Sequence, residues 1–376
     1  MSGIYIHIPF CIKKCSYCDF LSFPASGETM RDYVDALTHE MEQFKQNTDL
    51  DVDTIFIGGG TPTVLPEAYL KHVIQMCAAL ASKNPSSQQA SVEFTVEVNP
   101  GTVHLPQLQM LYNEGVNRLS FGLQSTHDRL LESISRIHNY ETFEINYITA
   151  REVGFENINI DLMFGLPNQS MQEWRESLEK IISLAPEHIS VYSLILAEDT
   201  PLSDHVDSGV VALPDETTDR AMYHLARQML TDAGYIHYEI SNFAKPGYMS
   251  RHNTNCWRRV PYYGFGLGAH SFDGNMRWHN TENMNAYIHD SGSAPLDVET
   301  LTKEEAMSET IILGLRLLDG VNEHDFYEQF GVKIKDVYLE EITNLLLNGL
   351  IIKENGRICL SEKGLDLANV VMEQFL

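Results

Sequence analysis

The chain has 376 residues with 26 basic and 52 acidic side chains, which gives it a formal net charge of -26. This acidity argues against nucleic acid and against an anionic membrane surface as partners, because both are bound through lysine and arginine. The length predicts one large domain and a smaller one. The sequence shows no secretory signal and no run of about 18 apolar residues, so we expect a cytoplasmic protein without a transmembrane segment.

The first predicted strand, Ile4–Ile8, leads directly into a loop that carries Cys11, Cys15 and Cys18. This C-x3-C-x2-C spacing offers three thiolates from one short loop, and thiolates are the ligands of iron–sulfur clusters. A four-iron cluster with three protein ligands leaves one iron open for chemistry. A disulfide would leave one cysteine over, and a zinc site would need a fourth ligand such as His7. We favour the cluster, because cytosolic thiols stay reduced and zinc ligands usually come as paired C-x2-C units.

Strand-like and helix-like patterns alternate over residues 1–240 and make six β/α units. The strand-like runs are Ile4–Ile8, Thr54–Ile57, Val92–Val98, Arg118–Gly122, Ile158–Met163 and Ile189–Leu194. The helical patterns are Met30–Lys45, Pro66–Ala81, Leu105–Asn113, Glu141–Val153, Met171–Ser183 and Glu216–Asp232. Such alternation predicts an α/β fold with parallel strands and outer helices, either as a doubly wound sheet or as a barrel.

Glycines and polar residues at the C-terminal ends of strands two to five favour the barrel. They are Gly58, Gly59, Gly60, Thr61, Glu97, Asn99, Gln124 and Asp161. Active sites of barrel folds gather at this end of the strands. We therefore predict a partial, TIM-like (β/α)6 barrel with one shared mouth, onto which the cysteine loop also opens.

These rim residues have functional and structural interpretations. Adjacent glycines let the backbone approach a ligand closely, but they also suit a tight turn. Glu97 and Asp161 flank apolar strands, where an unpaired carboxylate is costly, so we expect them to face a polar ligand or a cation. Asp161 could instead cap a turn. Arg136 is either a solvated helix residue or a fork of donors for a carboxylate.

Residues 241–300 form a glycine- and aromatic-rich connecting segment, and residues 301–376 form a second unit. The second unit has helical patterns, a predicted hairpin around Asn355-Gly356 and a last helix from Ser361 toward Phe375. The other predicted elements are Lys303–Leu318, Glu323–Phe330, Ile334–Asn348, Ile351–Lys353 and Ile358–Leu360. This order predicts a winged-helix-like α+β domain, although its many glutamates argue against DNA binding.

Together these motifs resemble the radical S-adenosylmethionine (SAM) superfamily. More narrowly, they resemble the branch that holds the HemN-type oxygen-independent coproporphyrinogen III oxidases and the HemW-type heme chaperones. The resemblance covers nearly the whole chain and rests on the cysteine loop, on Tyr5-Ile6-His7-Ile8-Pro9-Phe10 and on Gly58-Gly59-Gly60-Thr61-Pro62. The C-terminal unit resembles that of the same branch, which implies a lid over the barrel mouth or a docking surface.

The resemblance implies a [4Fe-4S] cluster held by Cys11, Cys15 and Cys18, with SAM chelating the fourth iron. Reduction of the cluster then cleaves the sulfonium bond of SAM and gives a 5′-deoxyadenosyl radical. By the same resemblance, Tyr17 packs beside the cluster and the adenine. The implied SAM contacts are Tyr5, Gly59, Gly60, Thr61, Glu97, Gln124, Arg136 and Asp161.

Three features favour the chaperone type. The oxidase loop resembles C-x3-C-x2-C-x-C, but Phe20 stands here at the fourth cysteine position, and the oxidases carry an extension that would precede Met1. HemW-type proteins have an H-N-x-x-Y-W motif, which here runs from His252 to Trp257 with Cys256 in place of the tyrosine. The resemblance therefore implies a protein that binds heme and passes it to an acceptor such as a respiratory enzyme. The alternatives are a coproporphyrinogen oxidase, or a radical SAM enzyme with another substrate.

Heme needs an apolar groove and an axial ligand, which histidine or cysteine can supply. We predict His252 as that ligand, ahead of Cys256 and His270. Alternatively, this stretch is a structural loop that closes the lower edge of the barrel, with His252 hydrogen-bonded to the backbone. The sequence leaves open whether heme attaches covalently, whether SAM cleavage is part of the function, and what the oligomeric state is.

Overall fold

The computed structural model describes residues 1–48, 50–81, 92–290 and 295–376. Six parallel strands form its centre and hydrogen-bond in chain order. They are β1 (Ser2–Ile8), β2 (Val52–Gly59), β3 (Glu93–Val98), β4 (Arg118–Gln124), β5 (Ile158–Phe164) and β6 (His188–Ser193). The predicted partial barrel of the α/β class is thereby confirmed, and all six strands lie within a few residues of the predicted ranges.

Helices cover the outside of these strands. They are α1 (Gly27–Asn47), α2 (Glu67–Ala81), α3 (Leu105–Asn113), α4 (Asp128–Ser133), α5 (Tyr140–Val153), α6 (Met171–Leu184), α7 (Pro201–Asp207) and α8 (Glu216–Asp232). The six predicted helices are present, whereas α4 and α7 were missed because about two turns are too short for a hydrophobic period to show. Capping explains where helices begin: Ser170 and Glu173 form a reciprocal capping box at the start of α6.

Side-chain alternation along β1 shows how the barrel separates its core from its interior. Ile4, Ile6 and Ile8 are completely buried and belong to the main apolar core with the outer helices. Tyr5 and His7 lie on the opposite face of the strand, where the Tyr5 hydroxyl is 3.0 Å from His7 Nδ1. Because successive side chains in a strand point to opposite faces, the barrel interior can be polar while the outer layer is apolar.

The same sheet continues beyond the barrel on both edges. The additional elements are β7 (Ile236–Glu239), β8 (Asn242–Ala244), α9 (Arg251–Trp257), β9 (Tyr262–Phe265), β10 (His270–Phe272), β11 (Met276–His279), α10 (Met284–Asp290) and β12 (Leu296–Thr300). The strand order is β12-β11-β10-β9-β1-β2-β3-β4-β5-β6-β8-β7. The segment predicted as a connector over residues 241–300 therefore contributes β8 to β12 and two helices, apart from residues 291–294, which lie outside the described residues.

The C-terminal part folds around its own apolar core and a three-stranded antiparallel sheet of order β13-β15-β14. Its elements are α11 (Lys303–Gly314), β13 (Val321–Asn322), α12 (Glu323–Phe330), α13 (Ile334–Val337), α14 (Leu339–Leu347), β14 (Ile351–Glu354), β15 (Arg357–Leu360), α15 (Glu362–Asp366) and α16 (Ala368–Glu373). Asn355 and Gly356 both have positive φ, as a tight hairpin requires. This is the predicted winged-helix-like α+β arrangement.

Two predicted C-terminal helices are each broken into two shorter ones. The break in the first lies at Tyr338 and that in the second at Leu367, and both residues have non-helical backbone angles. The guanidinium of Arg227 on α8 pairs with Glu362 at 2.8 Å and joins this domain to the barrel. Within the described ranges, the helices are all too short or too polar to cross a bilayer.

Candidate functional site

The three cysteines of the first loop stand together at the mouth of the barrel, and all three are half-buried free thiols. The loop is tied at its base, because the Cys11 amide donates to the Phe23 carbonyl at 3.2 Å and the Phe23 amide donates to the Pro9 carbonyl at 2.9 Å. Farther along, the Cys18 amide donates to the Cys15 carbonyl. Local turns of this kind hold several sulfur atoms toward one space without requiring a disulfide.

The surroundings of the cysteines fit an iron–sulfur cluster better than a zinc ion. His7 is not free as a fourth zinc ligand, since its Nδ1 contacts the Tyr5 hydroxyl and its Nε2 lies 2.9 Å from the Leu21 carbonyl. In the described part of the chain, no three His, Cys, Asp or Glu side chains converge closely enough to hold one metal ion. In a four-iron cluster each thiolate binds a different iron, so the sulfur atoms stay well apart.

A pocket with a volume of about 160 Å³ opens beside the cysteines. It brings together most of the predicted site residues, which come from six different strands and loops. Those that line it are Cys11, Cys15, Tyr17, Cys18, Gly59, Gly60, Thr61, Glu97, Gln124, Arg136 and Asp161. Tyr5 does not line the pocket; its hydroxyl contacts His7 and its ring packs on Phe56 inside the barrel.

The glycine turn after β2 leaves room that side chains would fill. A Cβ on Gly58 would lie 2.7 Å from the Glu97 carboxylate, and one on Gly60 would lie 2.7 Å from the Phe10 carbonyl. Gly59 has φ +106° and donates its amide to Glu97 Oε2 at 3.1 Å. The turn therefore serves both predicted purposes, because it is tight and it brings the backbone next to a carboxylate in the pocket.

Two carboxyl groups in this pocket lack a direct counter-ion. Within the described residues, neither Glu97 nor Asp161 forms an ion pair. Burial and then the charge of Asp161 raise the pKa of Glu97 to about 7. Burial likewise raises the pKa of Asp161, although Asn159 donates a hydrogen bond to it at 2.7 Å. Such a pair favours a ligand that brings positive charge or several hydrogen-bond donors.

Arg136 lies beyond the end of α4 and reaches into the pocket rather than into solvent. Its Nη2 donates to Asn99 Oδ1 and to the Gly122 carbonyl, and its Nη1 is 3.6 Å from Cys15 Sγ. Asn99 in turn donates to Thr61 Oγ1 at 3.0 Å. This contact brings positive charge next to a sulfur atom that would bind metal.

Gln124 has an unusual backbone conformation. It has φ +72°, which is uncommon for a residue other than glycine, and the register between β4 and β5 shifts beside it. Its buried Oε1 has no hydrogen-bond partner. Strained backbone with an unpaired acceptor in a pocket is typical of a residue that is held for a ligand.

Two further polar residues escaped the sequence-based site prediction. Asn99 was recognised as a rim residue but not as the link between Arg136 and Thr61. Arg118 was taken only as the start of a strand, yet it is almost completely buried inside the barrel, and its Nε has no hydrogen-bond partner there. The available signal was its position at i−2 and i−4 from Ser120 and Gly122, which places all three on the same face of β4.

His252 is not part of this pocket. It is 6% exposed and lies at the N-terminal ends of β1 and β2, where its Nδ1 is 2.9 Å from Thr54 Oγ1 and its ring stacks on Phe56. Burial lowers its pKa to about 4, so the imidazole is neutral, which is the form that binds a metal. In this conformation, ligation of heme iron would require the ring to leave Thr54 and Phe56.

Charged residues near His252 are paired with carboxylates. Arg251 pairs with Asp53, and Arg259 pairs with Glu309 at 2.7 Å. The more exposed Arg258 lies 3.5 Å from Asp319. These arginines thus balance local acid in the structure.

Comparison with known proteins covers both parts of the chain. The model of the radical SAM superfamily matches residues 5–181, and that of the HemN C-terminal domain matches residues 301–367. The heme chaperone HemW of Bacillus subtilis is 38% identical over 100% of this chain and 99% of its own length. The heme chaperone HemW of Escherichia coli is 33% identical over 100% of this chain and 98% of its own length.

A solved structure extends the comparison to the fold. Coproporphyrinogen III oxidase (HemN) from Escherichia coli superposes with a TM-score of 0.85 and covers 99% of this chain and 89% of its own. The sequence identity is 23%. This likeness supports the architecture of the barrel and its C-terminal domain.

Proposed function

The chain belongs to the HemW family of the radical SAM superfamily, and from this premise we propose that it is a heme chaperone, which binds heme and passes it to an acceptor protein. The observation that carries the proposal is similarity to proteins named heme chaperone HemW over the full chain, at 38% identity for one of them. The exposed Phe20 agrees with it, because it occupies the position of the fourth cysteine in the oxidase-type loop.

The cofactors of this function are a [4Fe-4S] cluster and SAM, and the pocket at the barrel mouth has suitable residues for both. Cys11, Cys15 and Cys18 would hold the cluster, and the Arg136 guanidinium would offset negative charge next to Cys15. Glu97 and Asp161 would receive SAM through its positive charge and its hydrogen-bond donors. When bound, the reduced cluster supplies the electron that cleaves the sulfonium of SAM.

The remaining predicted contacts supply shape and orientation. Gly59 and Gly60 let the ligand approach the backbone, Thr61 and Gln124 offer hydrogen-bonding groups, and Tyr17 forms part of the pocket wall. Tyr5 lies in the barrel interior below the pocket, so it would affect SAM binding only indirectly. We further propose that the protein acts in the cytoplasm, where its six free thiols stay reduced.

Heme is the cargo in this proposal, and the acceptor is a heme-requiring protein such as a respiratory enzyme. His252 is the proposed axial ligand, and binding would then be coupled to release of its ring from Thr54 and Phe56. Cys256 lies in the same helix and is the second candidate. Burial raises the pKa of the Cys256 thiol to about 11, so it would have to lose its proton to iron on binding.

The function is tested by giving the anaerobically reconstituted, SAM-loaded protein either heme or coproporphyrinogen III. We expect heme to be retained with a Soret band and then to move to an apo-acceptor, while coproporphyrinogen III stays unchanged. His252→Ala should lose the Soret band, and His270→Ala, which alters an exposed histidine, should keep it. A decarboxylated porphyrin product would instead establish the oxidase, and an unchanged Soret band in His252→Ala would exclude His252 as sole ligand.

A pH dependence follows from the raised pKa of Glu97, which is about 7. The carboxylate is ionised above this pH, and it is the ionised form that attracts the net positive charge of SAM. The affinity for SAM should therefore rise as the pH increases from 6 to 8 and fall as Glu97 takes up a proton. Equilibrium binding at these pH values checks this, with the cluster absorption as a control for an intact site. A flat profile would contradict the assigned role of Glu97.

A further inference from the structure

A continuous chain of polar side chains runs through the barrel interior below the pocket. It starts at the backbone amide of Ser250, the N-cap residue of α9, and ends at the Asp161 carboxylate at the mouth. Its three central members are almost fully buried: Asn159 is 2% exposed, His188 is 1% exposed and Tyr238 is 7% exposed. Polar groups cost free energy in such a place unless they are hydrogen-bonded, so their presence calls for a reason.

Each contact in this chain is within hydrogen-bonding distance. The Ser250 amide donates to the Tyr238 hydroxyl at 3.2 Å, and this hydroxyl lies 2.7 Å from His188 Nε2. His188 Nδ1 lies 2.6 Å from Asn159 Oδ1. Asn159 Nδ2 then donates to Asp161 Oδ1 at 2.7 Å.

One direction of donation satisfies every contact of this chain. Because the Tyr238 oxygen accepts from the Ser250 amide, its own proton is free for His188 Nε2. Burial and the charge of Arg118 lower the pKa of His188 well below its usual value, so the ring is neutral and carries its one proton on Nδ1. The Nδ1–H group donates a hydrogen bond to Asn159 Oδ1, which also accepts one from the Ser190 hydroxyl at 3.2 Å. The Asn159 amide is thereby oriented with its NH2 group toward Asp161.

We infer that Asn159, His188 and Tyr238 are positioning residues, whose hydrogen-bonded chain orients the Asp161 carboxylate for SAM from the opposite end of the barrel. This inference rests on the proposed binding of SAM at Asp161 and adds the residues that prepare this carboxylate. Without the chain, the Asn159 amide could turn and present its oxygen to Asp161, which would push the carboxylate away. A donor that is fixed beforehand keeps the carboxylate ionised and in one rotamer before the ligand arrives.

The groups around Asp161 make this orientation necessary. Glu97 repels it from β3, whereas Arg118 on β4 and Arg136 after α4 attract it, and neither arginine forms an ion pair with it among the described residues. Asp161 could therefore turn toward either cation. The hydrogen bond from Asn159, together with one from the Ser190 hydroxyl, is a short-range constraint that selects the direction facing the pocket.

The test compares pairs of variants in SAM binding to the anaerobically reconstituted full-length protein. His188→Leu removes both hydrogen-bonding nitrogens, and we expect it to weaken SAM binding about tenfold. His188→Gln keeps one donor and one acceptor about as far apart as in imidazole, and we expect it to restore the affinity to within about twofold of the natural protein. A role in packing alone would not separate these two variants.

A second pair of variants tests the inference independently, in case the histidine variants misfold. Tyr238→Phe removes only the hydroxyl of the chain and should weaken SAM binding about threefold. Tyr235→Phe is its matched control, because the buried Tyr235 hydroxyl bonds the Pro186 carbonyl at 2.7 Å outside the chain. Tyr235→Phe should bind SAM like the natural protein, and both variants should keep the cluster absorption.

The outcomes distinguish this inference from the proposed function. Equal SAM affinity in Tyr238→Phe and Tyr235→Phe would overturn the inference, and so would equal affinity in His188→Leu and His188→Gln. If His188→Leu does not fold, the tyrosine pair decides alone. A natural protein that takes up the cluster but does not bind SAM would contradict the proposed function itself.

Discussion

Serine at any one of positions 11, 15 or 18 is expected to abolish the broad absorption at about 400 nm that a thiolate-ligated iron–sulfur cluster gives after anaerobic reconstitution. The physical reason is that the three thiols are free, face one pocket and have no substitute nearby. His7 is engaged by Tyr5 and Leu21, so it cannot replace a lost sulfur. A cluster with only two protein ligands should be lost or strongly depleted in iron.

The matched control for these variants is Cys256→Ser. Cys256 is also a half-buried free cysteine, but it lies on α9, away from the pocket. It should keep the full iron content and absorption. Unchanged iron in all three loop variants would refute the assignment of the loop as the cluster ligand set, and loss of iron in Cys256→Ser would show that the assay reports general unfolding.

Glu97→Gln and Asp161→Asn are each expected to weaken SAM binding strongly while leaving the cluster in place. Each removes one negative charge from a half-buried site that lacks a direct counter-ion. A charged hydrogen bond of this kind contributes about 2 kcal/mol, which is about a 30-fold change in Kd. Equilibrium dialysis of SAM against the reconstituted variants measures the loss, and absorption near roughly 400 nm reports the cluster.

Asp19→Asn is the control for these two variants. Asp19 also lines the pocket, but it is exposed, so solvent screens its charge and its loss should change the affinity little. If the Asp19 variant lost as much affinity as the Glu97 and Asp161 variants, the general negative charge of the mouth would explain binding. Saturable binding with natural affinity in both Glu97→Gln and Asp161→Asn would contradict the proposed SAM site.

The three-cysteine loop and the barrel are the features that the sequence alone was able to predict. Ligand spacing within one short loop is a local property, and so is the alternation of strand and helix along the chain. Parallel strands place their C-terminal ends at one edge, so Glu97, Gln124 and Asp161 were expected to lie together. For the same reason, the glycine turn after the second strand was expected to meet the cysteine loop.

Other features depend on strand pairing between distant parts of the chain. The strands that the barrel sheet gains after residue 235 have three to five residues, too few for a periodic pattern, and only the structure places β9 beside β1. It also places His252 beside Thr54 at the end of the barrel opposite the cysteines.

The partner of a polar side chain was the least predictable feature. Arg136 and Cys15 are 121 positions apart, and Asn159 and His188 are 29 apart, yet both pairs are in contact. A sequence pattern reports which face of its own element a residue occupies. The register between strands and the closure of the barrel decide which other side chain it meets, and therefore which carboxylate is oriented, which arginine lies beside a thiol and which histidine is buried.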